Sequence, residues 1–267
     1  MTQAKIDAGA RLAAMREAAP LVHNITNYVA MNVMANALLA AGASPAMVHA
    51  REEAADFAAI ASALTVNIGT LSPDWVASME AAAASAVAHG KPWVLDPVAV
   101  FATRYRGEVG ARLAAMRPTL IRGNASEILA LAGEAAGGKG ADAGDAVATA
   151  EAGARALSAR TGAVVAVTGP VDYVTDGSRA FRVANGHALM PKVTALGCSL
   201  TGICGAFLAA GDAALEDTAA ALAFYGLAGE RAAQGASGPG SFAMAFIDEL
   251  AAVTPADLDA GARVETA

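Results

Sequence analysis

The chain is predicted to be an α/β protein of three layers, with a mainly parallel central sheet covered by helices on both faces. Three observations predict it. Helix-period segments alternate with short apolar strand segments along most of the 267 residues, the pattern of repeated strand–helix units that pair in parallel through crossovers. Hydrophobic residues make up 55% of the chain against 16% charged, and alanine supplies much of the apolar share, a mixture suited to helices packed closely on a sheet. One departure from parallel pairing is visible: Val171 to Thr175 and Ala180 to Val183 flank Asp176-Gly177, a hairpin signal.

Taken in order, Gln3 to Glu17 has the period of an amphipathic opening helix. Thr26 or Asn27 supplies a cap for a helix running to Ala41, and Gly42 suits its C-terminal end. Pro45 to Val48 reads as a short buried strand, Glu52 to Ala63 as a helix, and Leu64 to Ile68 as a strand that stops at Gly69. Ser72-Pro73-Asp74 joins a cap, a first-turn proline and an early acid, and starts a helix that ends near Gly90. Pro92 to Leu95 is a strand leading into Asp96-Pro97; a helix follows over Tyr105 to Met116. Thr119 to Ile121 closes on Arg122-Gly123-Asn124, and Asn124 caps a short helix through Leu131. The glycine-rich stretch Gly133 to Gly144 is expected to be mobile. After a helix to Arg160, the β-branched run Ala163 to Val167 ends at Thr168-Gly169-Pro170. From Leu196 the chain reads as helical to about Val253, and residues 255–267 are expected to form a loose tail. With no internal repeat and no Pro/Ser-rich linker, residues 1–267 are read as one domain.

A formal net charge of −7 leaves no basic footprint, so nucleic-acid binding is not expected as a main role. Cys198 and Cys204, six residues apart on one expected helix, face different ways and do not suit a bridge. Free thiols, and an N-terminus without the basic-then-apolar layout of a signal peptide, point to a cytoplasmic protein. Ala18 to Ala50 and Val193 to Gly211 carry no Asp, Glu, Lys or Arg. Prolines, asparagines and glycines interrupt both, so they read as buried segments with neutral polar groups and not as membrane spans.

In a parallel sheet ligands sit beyond the carboxyl ends of the strands. That makes Asp96, Arg122-Gly123-Asn124, Thr168-Gly169 and the glycines before Cys198 the residues of interest. Ala195-Leu196-Gly197-Cys198-Ser199 opens an apolar helix through a glycine-containing turn. Unpaired amides and the helix dipole there suit a transferring phosphoryl group, and the position tends to lower a cysteine pKa. The same residues also read as a plain glycine-rich helix start with a structural cysteine. Glu127 is either a dipole-friendly capping residue or a functional carboxylate, and Asp96 either orients a metal-bound water or starts a turn. No GxxxxGK[ST] run, protein-kinase signature set or zinc-spaced Cys/His cluster occurs.

The order of the segments His23-Asn24-Ile25-Thr26-Asn27, Gly42 to Met47, Asn67-Ile68-Gly69-Thr70-Leu71, Leu95-Asp96-Pro97-Val98, Ile121 to Glu127, Val167-Thr168-Gly169 and Gly197-Cys198 resembles the hydroxyethylthiazole kinases of the ribokinase-like superfamily. The likeness runs from about residue 20 to 245. It implies a three-layer α/β/α ribokinase-like fold, phosphorylation of the thiazole alcohol by ATP with Mg²⁺, and a homotrimer whose active sites lie between subunits. It further implies substrate contacts at Met47, Ala195 and Asn27, and nucleotide contacts at Arg122, Thr168 and Gly197. Asp96 and Glu127 become the metal-ordering carboxylates, and Cys198 stands where the wider superfamily usually carries an aspartate base. One segment departs from the family's Gly-Thr-Gly-Cys: this chain has Ala195-Leu196-Gly197-Cys198. Were residue 195 to need a positive φ, Ala195 would add strain; because Gly197 is kept, it is expected instead to offer only its main-chain groups, at no conformational cost. Rival readings are a kinase for another small alcohol such as hydroxymethylpyrimidine, a lyase on the same fold, and a catalytically weak thiazole-binding protein.

Overall fold

The structure, a computed structural model, describes residues 6–133 and 143–267. Most of the glycine-rich stretch expected to be mobile, residues 134–142, lies outside the described residues. In chain order the elements are α1 (Ala8–Ala18), β1 (Leu21–Ile25), α2 (Met31–Ala41), β2 (Ser44–Ala46), α3 (Ala54–Ile60), β3 (Ala63–Asn67), α4 (Pro73–Ala88), β4 (Trp93–Asp96), α5 (Arg104–Ala114), β5 (Leu120–Asn124), α6 (Ala125–Ala132), α7 (Ala143–Thr161), β6 (Val164–Thr168), β7 (Asp172–Thr175), β8 (Ala180–Val183), α8 (Leu196–Ala210), α9 (Ala214–Gly235), α10 (Pro239–Ala252), α11 (Pro255–Gly261) and β9 (Val264–Thr266). Among the described residues the strands form one sheet in the order β2-β1-β3-β4-β5-β6-β7-β8-β9. The first six pair in parallel, and β7, β8 and β9 are added antiparallel.

Side chains that alternate along the strands feed two separate cores. Val94, Leu120, Val164 and Ala166 face the core shared with α1, α2 and α8–α11, while Trp93, Leu95, Ile121 and Val165 face the core shared with α3–α7. Small residues let the layers approach closely. A Cβ at Gly205 of α8 would lie 2.8 Å from Thr65 Cγ2 of β3, so that helix sits almost on the sheet.

Local signals act as anticipated at several ends. Ser72 Oγ accepts from Trp75 N, Gly42 takes the left-handed conformation after α2, and Asn124 and Glu127 form a reciprocal capping box at α6.

Two readings are corrected. Leu21–Ile25 is a strand that the sequence did not announce, and α2 begins only at Met31 after a turn over 28–30. Asn27 Oδ1 accepts from Val29 N and Ala30 N, so it caps that turn and not the helix itself. The strand is hidden because its polar members His23 and Asn24 are fully buried and erase the usual alternation. Residues 255–267 are likewise no loose tail: Thr254 and Asp257 cap α11, and Val264 pairs with Val183 at the sheet edge. Two buried apolar side chains, Leu258 and Val264, anchor a segment whose composition otherwise looks solvated.

Candidate active site

The carboxyl ends of β3, β4, β5 and β6 and the start of α8 converge on one buried chain of polar side chains. Asn67 closes β3, and its Nδ2 donates to Asp96 Oδ2 at 2.7 Å. Thr201 Oγ1, from α8, donates to the same oxygen at 2.8 Å. Arg122 Nη1 lies 3.7 Å from it and donates to Gly197 O at 2.8 Å, while Nη2 donates to Thr168 Oγ1 at 2.9 Å. On the other side Asn27 Nδ2 donates to Asn67 Oδ1 at 2.9 Å and to Cys198 Sγ at 3.3 Å. Six of the nine residues singled out in the sequence, Asn27, Asp96, Arg122, Thr168, Gly197 and Cys198, therefore belong to one network.

Glu127 stands beside it. Its Oε2 accepts from Asn124 N and its Oε1 from Ala99 N, three residues beyond Asp96. A Cβ at Gly123 would meet that carboxylate at 3.0 Å, so glycine there lets β5 pass close beneath it. Capping and functional readings of Glu127 are thus compatible.

Met47 is outside the network. It is half-buried in the segment after β2, which is pinned to the end of β1: His23 Nε2 donates to Val48 O at 2.8 Å, and His49 Nε2 lies 3.1 Å from both main-chain polar atoms of Thr26. Burial lowers the His23 pKa to about 4, which keeps its ring neutral.

Ala195 contradicts the expectation drawn for it. Its φ is +65° and ψ −1°, left-handed, a conformation that costs a non-glycine residue about 1–2 kcal/mol. Its carbonyl accepts from Ser199 N at 2.8 Å and from Ser199 Oγ at 3.0 Å. Ser199 N is thereby occupied, so the amides at the start of α8 without an intrahelical acceptor are those of Leu196, Gly197 and Cys198. Tyr225 of α9 braces this turn, hydrogen-bonding Ser199 Oγ and donating to Leu196 O, both at 2.8 Å.

The charges are held in tension. Burial raises the Asp96 pKa to about 6, against the opposing pull of Arg122. Asp172, whose Oδ1 accepts from Gly169 N at 2.9 Å, is raised to about 6 by the same cause. The Cys198 thiol is raised and not lowered: burial dominates and the Asp96 charge adds to it.

Sequence reasoning passed over Asn67, Thr201 and Arg106. Asn67 ends a strand immediately before a glycine turn, and Thr201 lies three residues after Cys198 on one helix face, which are the signals that were present. Arg106 reaches back from α5 to the carbonyls of Ile68, Gly69 and Val98 at 2.6, 2.6 and 2.9 Å, tying together the turns that follow Asn67 and Asp96.

A parallel sheet with helices on both faces, an antiparallel extension and a helix that starts over the strand ends together make a ribokinase-like α/β fold. Solved structures agree: a ribokinase-like superfamily protein of Enterococcus faecalis superposes with a TM-score of 0.63 at 13% identity, covering 90% of this chain and 89% of its own. The pyridoxal kinase of Staphylococcus aureus gives 0.61 at 16%, with 79% and 88% covered. The chain belongs to the hydroxyethylthiazole kinase family, whose sequence model matches residues 12–256. It is 70% identical to the hydroxyethylthiazole kinase of Cereibacter sphaeroides over 259 residues, 97% of this chain and 98% of that one. It is 61% identical to the same enzyme of Rhizobium johnstonii over 269 residues, with 99% and 100% covered. The structure of the hydroxyethylthiazole kinase protein from Pyrococcus horikoshii superposes with a TM-score of 0.90 at 40% identity, covering 97% and 98%.

Proposed function

We propose that the chain transfers the γ-phosphoryl of ATP to the primary alcohol of 4-methyl-5-(2-hydroxyethyl)thiazole, a step in thiamine biosynthesis or salvage. Family membership supports the reaction. The observation that carries the site is the chain of hydrogen bonds and one ion pair that runs from Cys198 through Asn27, Asn67, Asp96 and Arg122 to Thr168, beside the unpaired amides of α8. In the reaction the alcohol oxygen forms a bond to phosphorus, and the bond from phosphorus to the β,γ-bridging oxygen breaks. Such transfer depends on positioning and charge stabilisation more than on a strong base.

In this reading the amides of Leu196 to Cys198 and the Arg122 guanidinium hold the phosphoryl oxygens, and Thr168 orients Arg122 toward the nucleotide. Met47 and the main chain of Ala195 border the thiazole, with Asn27 at the edge of that space. Cys198, as thiolate, takes the alcohol proton late in transfer. Because its surroundings raise the thiol, turnover is expected to climb with pH beyond the ordinary thiol value of about 8.5.

The donor set also fits Mg²⁺. Among the described residues no group of three or more His, Cys, Asp or Glu side chains forms a metal cage. Mg²⁺ characteristically takes one or two carboxylates with waters and phosphate oxygens, and Asp96 and Glu127 supply such oxygens. When bound, the ion would neutralise charge on the phosphates.

We assign the chain to the cytoplasm and to a homotrimer with active sites between subunits. No helix among the described residues is long and apolar enough to cross a membrane. Tyr28, Val29, Leu39 and Met244 are exposed, and a groove of about 380 Å³ beside the α8 start is lined by Asn32, Val33, Asn36, Leu196 and Met244. That surface suits a neighbouring subunit. Sedimentation at the mass of a single chain would refute the trimer.

The deciding experiment incubates purified protein with ATP, Mg²⁺ and the thiazole alcohol, and follows the phosphorylated thiazole. Hydroxymethylpyrimidine serves as the competing acceptor, and faster turnover of it would overturn the substrate assignment. Cys198→Ser should lower kcat by about 10–10³-fold with little change in ATP affinity and flatten the alkaline rise. An equal loss of both would reduce Cys198 to a structural residue.

A further inference from the structure

The carboxamide of Asn67 occupies an unusual position. It is 1% exposed and has a polar partner on each side. Oδ1 accepts from Gly69 N at 2.9 Å and from Asn27 Nδ2 at 2.9 Å. With both of those donors on one atom, the amide cannot be turned over without setting N–H against N–H. Nδ2 is therefore committed to Asp96 Oδ2.

Asn27 is locked by the same logic. Its Oδ1 accepts from Val29 N at 3.1 Å and Ala30 N at 3.0 Å, which leaves Nδ2 to donate toward Asn67 and Cys198 Sγ. The sulfur is consequently a hydrogen-bond acceptor, and its own S–H is directed elsewhere. The turn carrying Gly69 holds this arrangement from outside: a Cβ there would come within 2.9 Å of both Asn27 and Asn67.

We propose that Asn67 is a positioning residue for phosphoryl transfer, fixing the Asp96 carboxylate directly and the Cys198 sulfur through Asn27, so that the two ends of the reacting group are held in one register. It touches no phosphate or alcohol itself. The charged groups facing Cys198 are Asp96 from β4 and Arg122 from β5. Burial and the Asp96 charge raise the thiol, while the Asn27 carboxamide, which donates to the sulfur and is held in place by Asn67, and Arg122 oppose them. Loss of Asn67 therefore makes the sulfur a poorer thiolate as well as freeing Asp96.

The inference rests on Cys198 and Asp96 acting in the proposed reaction, so its first readout is chemistry at the sulfur, which needs neither ATP nor an alcohol. Asn67→Leu and Asn67→Ser are alkylated with iodoacetamide from pH 7.5 to 10, and the Cys198 peptide is quantified by mass spectrometry. Cys204, which is buried, serves as an internal check that the fold is kept. The expected result is a rate curve displaced to higher pH, with alkylation about threefold or more slower at pH 8.5. In turnover, kcat should fall about tenfold while KM for ATP and for the thiazole alcohol moves less than about twofold. A curve superimposable on that of the wild type, or a uniform slowing at every pH, overturns the proposal. So does a KM rise that accounts for the whole loss of activity. If the leucine variant exposes Cys204 to alkylation, the serine variant carries the test.

Discussion

At the amino ends of β4 and β5 the molecule holds a cavity of about 390 Å³, lined among others by Lys91, Trp93, Arg117, Leu208 and Asp212. At the carboxyl ends of the same two strands it holds Asp96 and Arg122. The first region has volume, but its polar contacts form two separate local groups: Trp93 donates through Nε1 to Arg117 O and through N to Thr119 Oγ1, both at 3.1 Å, and Asp217 is held by Arg11 and by Ala213 N. The second is a continuous chain in which one side chain's orientation fixes the next. The difference teaches that space alone does not mark a site. Buried polar groups are costly unless they are paired, and here five of them, Asn27, Asn67, Asp96, Arg122 and Thr201, satisfy one another at the strand ends, the arrangement the proposed reaction calls for where charge develops.

The strongest way to break this comparison is at Asp96. Asp96→Asn should cut kcat by about 10²–10³-fold, whereas its effect on folding should have the opposite sign as pH rises. The folded pKa is raised to about 6 by burial, so this group's stabilisation is complete below the unfolded value of about 3.9 and is lost as pH rises through 6. Asparagine escapes that loss and can still accept from Asn67 and Thr201. Relative to wild type, the variant should therefore gain about 2–3 kcal/mol between pH 4 and pH 7, measured by urea denaturation at each pH. A variant whose stability runs parallel to wild type across that range would mean Asp96 is not held under tension.

That tension also explains what the sequence could and could not disclose. Asp96, Arg122, Thr168 and Gly197 were legible because each follows a strand end or begins a helix, and chain order alone brings such positions to one face. The parallel strands from Ala63 to Thr168 were legible for the same reason, as β-branched runs with glycine or proline close to their ends. Asn67 and Thr201 were not: a neutral side chain acquires its role only from the atoms it meets, and those lie 29 and 105 residues away in sequence. β1 was missed because its buried asparagine and histidine imitate a turn, and the conformation of Ala195 because no neighbouring residue requires it.

A smaller effect sharpens the comparison at the edge of the site. Ala195 keeps a left-handed conformation at the entrance to α8, one that disfavours any residue with a Cβ. Ala195→Gly should stabilise the protein by up to about 1 kcal/mol, since relief of the twist outweighs the added freedom of the unfolded chain. In a protein of this size that corresponds to a rise in Tm of about 2–4 °C by calorimetry. A fall in Tm would show that the twist is not strained.

The smallest effect is expected at the opposite end of the sheet. Arg117 is left-handed too, with φ +60°, and it lines the cavity at the amino ends of β4 and β5 together with Lys91. What Trp93 uses there is the main-chain carbonyl of residue 117, so Arg117→Gly preserves that bond while removing both the charge and the steric cost of the twist. Lys91→Ala removes the second cation. If the chemistry resides in the chain from Cys198 to Thr168, both variants should turn over the thiazole alcohol within about twofold of wild type in kcat/KM, because substitutions far from a site act mainly through stability. Arg117→Gly should also melt slightly higher, by the argument used for Ala195. A tenfold loss of activity in either variant, with the melting temperature unchanged, would transfer functional weight to the amino end of the sheet and undo the contrast between volume and hydrogen-bonded order.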